Sequence, residues 1–374
     1  MFLAVRDLRF AKGRFLLMGA VVALVAVLAV ILTGLATGLT TDNISALRAM
    51  PVTHLAFQQG VQGELFSRSI IEQPTWQRWA TQPGVQAATP YGNSLTHATD
   101  QRGGKNLDIA LFGVQPGAFI APKPASGQPL GATPDGILIS AKLAEQGVRV
   151  GDTLVVERAG THLHVLGTLE EASFGHVAVA YAPLRLWQQV HYGLPSQPPP
   201  AAWRQATAVA LKLTPGTDAA DLKALDAQLG THTVSKRGAY AAAPGYSAET
   251  GTMTLIRVFL YLISTLVVGA FFMVWTVQRK PEIALIKALG GSSRWLLGDA
   301  VTQVLVVLVA ATGAGIGVGL ALGAGLTGTA PFAIEPGPIA LAAVLLVALG
   351  TLGTLAAVRR ITTVDPLIAL GGNR

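Results

Sequence analysis

The sequence predicts an α-helical membrane protein with four transmembrane helices and a large mixed α/β extracytoplasmic domain inserted between helices 1 and 2. Three observations carry that expectation. The 374-residue chain is 51% hydrophobic and only 13% charged, with a mean hydropathy of +0.49, too apolar for an ordinary soluble domain. Four apolar runs reach the roughly 20 residues that a helix needs to cross a bilayer. Basic residues gather on one side of those runs, which sets their direction.

The first run, Phe15 to Leu39, contains no charge. It follows Arg6, Arg9, Lys12 and Arg14, as in a signal-peptide n-region, but it is about twice the length of a signal-peptide core. "ATGLTTDN" is also a poor cleavage site, so the run reads as a retained span. The second span runs from about Leu255 to Val277, the third from about Val301 to Leu326 and the fourth from about Pro338 to Val358. Arg279, Lys280, Lys287 and Arg294 separate spans two and three, and Arg359, Arg360 and Arg374 follow span four. By the positive-inside rule, both termini and the 279–294 loop face the cytoplasm.

The expected partition follows. Residues 1–41 hold a cytosolic N-terminal helix and helix 1, 42–250 the extracytoplasmic α/β domain, and 251–278 helix 2. Residues 279–294 form a cytosolic loop, 295–328 helix 3, 329–337 a short outer loop, and 338–374 helix 4 with a cytosolic tail. The 42–250 segment carries 15 Lys+Arg against 15 Asp+Glu, so the net charge of +7 comes from the membrane and cytosolic parts. The basic balance therefore reflects topology and gives no support to nucleic-acid binding. Cysteine is absent, which excludes a disulfide framework, a thiolate metal site and a thiol nucleophile.

Within the extracytoplasmic segment, "DGILIS" reads as a strand, "AKLAEQG" as a short helix ended by Gly147, and "VGDTLVVER" with "THLHVLGTL" as a hairpin across Ala159-Gly160. "YAPLRLWQQVHYG" reads as an amphipathic helix, "PSQPPPA" as a polyproline-like loop, and "DAADLKALDAQLG" as a helix ended by Gly230. In the spans, Gly315, Gly319 and Gly323, and likewise Gly34 and Gly38, recur every four residues. Two readings stand: a face that packs and slides against another helix, in this or a second subunit, or the general abundance of glycine in membrane spans. Gly323 to Gly328 matches G-x-G-x-x-G but follows no strand, so it is no dinucleotide site. The chain contains no G-x-x-x-x-G-K-[ST], hence no P-loop of its own.

The stretch "RKPEIALIKALGG" has Pro281 suited to a first helical position, Glu282 suited to the positive N-terminal end, and Gly290-Gly291 as a stop. Ile283, Ile286 and Leu289 recur every three residues. So short a helix is marginal alone. It either lies in the lipid headgroups or offers an apolar face to a groove in a cytosolic partner.

"RKPEIALIKALGGSSRWLL" closely resembles the coupling segment of FtsX/MacB-type permeases of ABC transporters. "AVRDLRFAKGRFLLMG" and the "RRITTVDPLIALGG" ending, with Asp365, Pro366, Ala369 and Leu370, resemble the same family's termini. "ALFGVQPGAFIAP" and "GILISAKLAEQGVRVGDTLVV" look most like the branch containing DevC and HrtB. The resemblance covers nearly the whole chain. It implies a MacB-like permease fold in a bacterial cytoplasmic (inner) membrane, a homodimer, and two copies of a separate P-loop ABC ATPase that holds ATP and Mg. Arg279, Lys280, Pro281, Glu282, Ile283, Ala284, Leu285, Lys287, Ala288, Leu289 and Gly290 would seat in that ATPase and transmit its closure, without bond chemistry in this chain. A transporter exporting a hydrophobic or amphiphilic molecule is one implied function; an FtsX-like transducer activating an envelope partner is the other.

HrtB-like members export heme, which needs axial ligands near the outer membrane face. The substrate-binding candidates there are Met50, His54, Tyr246, Met253, Arg257 and Tyr261. Arg257 either snorkels to the headgroups or meets an anionic cargo. Phe174 stands where HrtB-like chains are expected to carry a tyrosine, with His176 nearby. All seven histidines lie in the extracytoplasmic segment. His162 and His164 would share one strand face, but they lack a third ligand, so no resident metal site and no catalytic constellation are expected.

Overall fold

The computed structural model describes residues 12–193, 199–278, 292–326 and 330–362. The expected coupling segment and the Asp365–Leu370 ending lie outside those residues. The chain divides into two compact units, one formed by Met1–Leu39 with Thr250–Arg374 and the other by Thr40–Glu249.

Among the described residues, four helices are long and apolar enough to cross a membrane. They are Lys12–Ala49, Tyr246–Gln278, Ser293–Leu326 and Pro336–Thr362. In hydrocarbon each backbone N–H and C=O must find a partner inside its own segment, which helix supplies. Phe15, Met18 and Val22 of the first helix pack with Val268 and Trp275 of the second and Val304, Leu308 and Ala311 of the third. The Phe15 and Trp275 rings meet edge to face at 5.3 Å.

The glycine stripes form the seam of this bundle within one chain. A Cβ on Gly315 would stand 2.4 Å from the Ala23 carbonyl oxygen, and one on Gly319 would stand 2.8 Å from Val30 Cβ. Phe332 fills the gap between Gly34 and Gly323, whose added Cβ atoms would fall 2.2 Å and 2.4 Å from its ring. The stripes thus let the first and third helices approach closely.

The Thr40–Glu249 unit begins with residues 40–49 of the first helix, about ten beyond the apolar run. Ile44 and Leu47 from that extension, with Met50 just past it, enter the unit's core. Lys236 caps the helix end, its Nζ donating to the carbonyls of Arg48 and Met50 at 2.7 Å each.

The strands are β1 (His54–Gln58), β2 (Ile71–Glu72), β3 (Val85–Asp100), β4 (Asn106–Val114), β5 (Ser126–Gly127), β6 (Gly136–Ser140) and β7 (Thr153–Val156). They continue with β8 (Thr161–Leu169), β9 (Ser173–Phe174), β10 (Val177–Pro183), β11 (Gln205–Ala206), β12 (Ala208–Leu213) and β13 (Thr231–Ser235). One sheet runs β13-β1-β12-β3-β4-β10-β6-β8-β5, and β7 pairs with both β3 and β8. That double pairing closes β3, β4, β10, β6, β8 and β7 into a ring, with β4–β10 and β6–β8 parallel and the other pairs antiparallel. All six strands contribute to one apolar cluster, including Leu107, Ile109, Ile137, Ile139, Leu154, Leu163 and Ala180, which is therefore the ring's interior. Their alternate residues, among them Phe112, Leu138 and Tyr181, join Ile44, Leu47 and Met50 in a second core outside it. Both faces of these strands are covered, which is why "GILIS" is buried at every position.

The hairpin expected across Ala159-Gly160 is present as β7–β8, which pairs Thr153 with His164 and Val156 with Thr161. Gly230, at φ 67°, ends helix Ala219–Leu229, and Asp218 caps its start. One expectation is corrected. The helix read over "YAPLRLWQQVHYG" begins only at Leu184, because Tyr181 to Pro183 extend β10 along β4 in parallel register. Pro183 has no N–H to donate and is tolerated there because β6 pairs β10 only at Ala180 and Tyr181, which leaves an open edge on that side.

Candidate functional site

Gly92 and Gly113 face each other across β3 and β4, and the absence of both side chains leaves a slot for the indole of Trp187. Trp187 is buried; its Nε1 donates to Ser94 Oγ at 2.9 Å, and Ser94 Oγ lies 2.7 Å from His191 Nδ1. Ser94 and His191 line one wall of a groove of about 1110 Å³ in the Thr40–Glu249 unit. The phenyl rings of Phe66 and Phe174 meet edge to face at 5.1 Å in its apolar floor. The polar lining is mixed, with Arg158, His97 and His191 beside the carboxylates of Glu64 and Glu157, and residues 241–245 form another side. Burial, and then the charge of Arg158, hold the His191 pKa below its ordinary value. His97 is paired with Asp108. An apolar floor with polar groups of both signs around it suits an amphiphilic ligand.

A second cluster of polar groups lies where the chain enters and leaves this unit. His176 Nδ1 is 3.0 Å from Asp42 Oδ2, and its Nε2 is 2.9 Å from Glu249 Oε1. Lys142 pairs with the other oxygen of Asp42 and donates to Ser173 Oγ at 3.2 Å. Asn43, fully buried, donates to the Pro244 carbonyl at 2.8 Å. Burial alone would raise the Asp42 carboxyl, but hydrogen bonds from Lys142 and His176, with their charges, hold it below its ordinary value.

The sequence-predicted candidates are dispersed. Met50 is 2% exposed in the unit's core, so its thioether is out of reach of a molecule arriving from outside. His54 lies on β1 between β12 and β13, its Nδ1 buried without a hydrogen-bond partner among the described residues. Burial lowers its pKa. Tyr246 packs on the same core as Met50, with its ring 6.3 Å from that of Tyr240. Met253, Arg257 and Tyr261 belong to the membrane unit. Tyr261 packs on the cluster of Ala26, Ala29 and Leu346. Arg257 keeps a buried Nε that has no partner among the described residues. Phe174 is fully buried among Phe66 and Phe112, an aromatic packing position. His162 and His164 both lie on the exposed side of β8, with His164 Nε2 3.4 Å from Asp135. Among the described residues no group of three or more His, Asp or Glu is placed to hold a metal ion.

Residues 2–227 match the family model described as MacB-like periplasmic core domain, and residues 254–366 match that described as FtsX-like permease C-terminal. The chain belongs to the MacB/FtsX family of ABC-transporter permeases. Over 370 residues, 99% of each chain, the permease is 24% identical to a Staphylococcus haemolyticus protein named as a hemin transport system permease, HrtB. It is 26% identical over 376 residues, 100% of this chain and 99% of the other, to an uncharacterized ABC transporter permease of Mycobacterium tuberculosis. The periplasmic region of MacB from Actinobacillus actinomycetemcomitans aligns with a TM-score of 0.38 at 14% identity, covering 53% of this chain and 94% of that one. As a permease of an ABC transporter it works with an ATPase partner.

Proposed function

We propose that the permease exports a hydrophobic or amphiphilic molecule, heme or a lipid-like cargo, from the membrane by ATP-driven mechanotransmission. ATP and Mg bind the separate P-loop ATPase, and two copies of this chain form the permease dimer. Its termini and the 279–294 loop are cytoplasmic and its Thr40–Glu249 unit is extracytoplasmic, in keeping with the placement of Arg and Lys. Arg279 to Gly290 couple it to the ATPase.

The observation that carries the reading is the groove, with its Phe66 and Phe174 floor and its Arg158, His97 and His191 lining. Imidazole is an axial heme ligand, and a guanidinium is matched to a carboxylate such as a propionate. The full-length relatives named as hemin permeases support the same chemical class. At the outer part of the second helix, Met253, Arg257 and Tyr261 are the groups such a cargo would pass, and Arg257, whose buried Nε has no partner among the described residues, favours an anionic one.

Titrating the purified chain with hemin tests this. A saturable Soret shift is expected, weakened by His191→Ala or Arg158→Ala and unchanged by Met50→Leu. No shift would overturn the heme reading. Co-purification with the ATPase should be lost on Glu282→Lys with Leu285→Lys. ATPase activity that responds to an envelope protein and never to hemin or lipid would identify a transducer instead.

A further inference from the structure

His176 occupies a backbone position that a histidine fills only under strain. It follows Gly175 in the two-residue turn between β9 and β10, where Phe174 pairs with Val177. Gly175 has φ 59° and His176 φ 65°, the pair of positive values a type I′ hairpin turn requires and that Asn or Gly meets most easily. The turn is strapped to the first helix, with Ser173 N donating to Ser45 Oγ at 2.7 Å and Gly175 N to the Asn43 carbonyl at 2.8 Å.

The contacts of the ring supply a reason for the choice. A neutral imidazole carries one N–H, so with two carboxylate oxygens at its two nitrogens, one contact would oppose lone pairs. Only the imidazolium donates to both Asp42 and Glu249. Two other groups stand at the ring: Lys142 holds the far oxygen of Asp42, and the Asn43 amide nitrogen, 3.3 Å from Nε2, gives its N–H to the Pro244 carbonyl at 2.8 Å, which leaves Nε2–H to Glu249. With His176 protonated, the two carboxylates and two cations balance. Without the proton an unbalanced negative charge remains, and Asp42 still has Lys142, so Glu249 is the group released.

We propose that His176 is a proton-operated clamp that ties Asp42, where the chain enters the extracytoplasmic unit, to Glu249, where it leaves. The clamp rests on the proposed reading that this unit is moved by the membrane helices, and it does not depend on the cargo. Partial burial pulls the imidazole pKa down, but the hydrogen bonds and charges of Asp42 and Glu249 outweigh it and leave it above 6.5. A raised histidine pKa contributes its stability in full below the ordinary value and loses it as pH rises through the raised one. Asp42, held below 3.8, keeps its charge through mildly acidic pH. The clamp is therefore closed in mildly acidic surroundings and opens in alkaline ones.

The chain has no cysteine, so spin labels at Ala49→Cys and Ala248→Cys report on these two segments of the full-length protein in nanodiscs. Their distance distribution should be narrow at about pH 5.5 and broader or displaced at about pH 8.5, either side of the ordinary histidine pKa. His176→Asn fits the turn but lacks the charge, and should give the alkaline distribution at both pH values. Glu249→Gln should move the midpoint to lower pH. A wild-type distribution that ignores pH, or a pH response that survives His176→Asn, would overturn the clamp. These measurements need neither ATPase nor cargo, so they stand or fall separately from the hemin titration.

Discussion

Replacing Gly113 with alanine places a methyl group where the side chain of Trp187 already lies. The new Cβ would stand 2.5 Å from both Cβ and Cγ of Trp187, against about 3.5–4.0 Å for an ordinary carbon contact. The side chain must therefore retreat by about 1 Å or more. It has little room, being 1% exposed and tied through Nε1 to Ser94. Overpacking of this kind destabilises by about 1–3 kcal/mol. In a unit of about 210 residues, each kcal/mol lowers Tm by about 2–4 °C, which gives a loss of about 2–12 °C. Thermal unfolding of the detergent-purified chain at one scan rate, followed by tryptophan fluorescence, measures it. Combining Gly113→Ala with Trp187→Leu should recover part of the loss, since the two changes share one space. Ser94 and His191 line the groove, so Gly113→Ala should weaken hemin binding as well. A Tm within about 1 °C of wild type, with no coupling to Trp187→Leu, would refute the slot as the reason for glycine here.

Two further outcomes are expected. Phe332→Ala empties the gap between Gly34 and Gly323; a buried Phe→Ala change costs about 3–5 kcal/mol in a soluble core. Between membrane helices the loss should lie at or below the low end of that range, because packing there gains dispersion and little from leaving water, and an unchanged Tm would contradict the seam. The His191 pKa is lowered by burial and then by Arg158, so its stability contribution is present above pH 6.5 and lost as pH falls through the lowered value. Burial lowers the His54 pKa as well, so the acid-side decline in Tm should be shallower in His191→Phe than in wild type but not lost, and an identical decline in the two would refute the His191 contribution.

What the sequence made legible was local. Four spans follow from apolar length, the β7–β8 hairpin from alternation around Gly160, and helix Ala219–Leu229 from Asp218 and Gly230 at its ends. What it concealed depends on partners far along the chain. Nothing in β7 announces that it pairs with both β3 and β8, and the groove draws on residues from Gly63 to Ala248. His176 meets Asp42 and Glu249 from 134 and 73 residues away. Met50 is a sequence candidate by its place near the outer membrane face, yet the helix continues to Ala49 and brings Met50 into the core. The glycine stripes left two readings open, which the Ala23, Val30 and Phe332 contacts resolve as packing within the chain.

The ring of β3, β4, β10, β6, β8 and β7 has no first or last strand. An open sheet can peel from its edge one ladder at a time, but a closed hoop parts only if two ladders break together. Load entering the hoop is shared around its circumference, and the interior of Ile, Leu, Val and Ala leaves little space for shear. Such a body deforms at its attachments before it deforms itself. Motion delivered to it would be passed on as displacement of the whole, as a lever passes on a push.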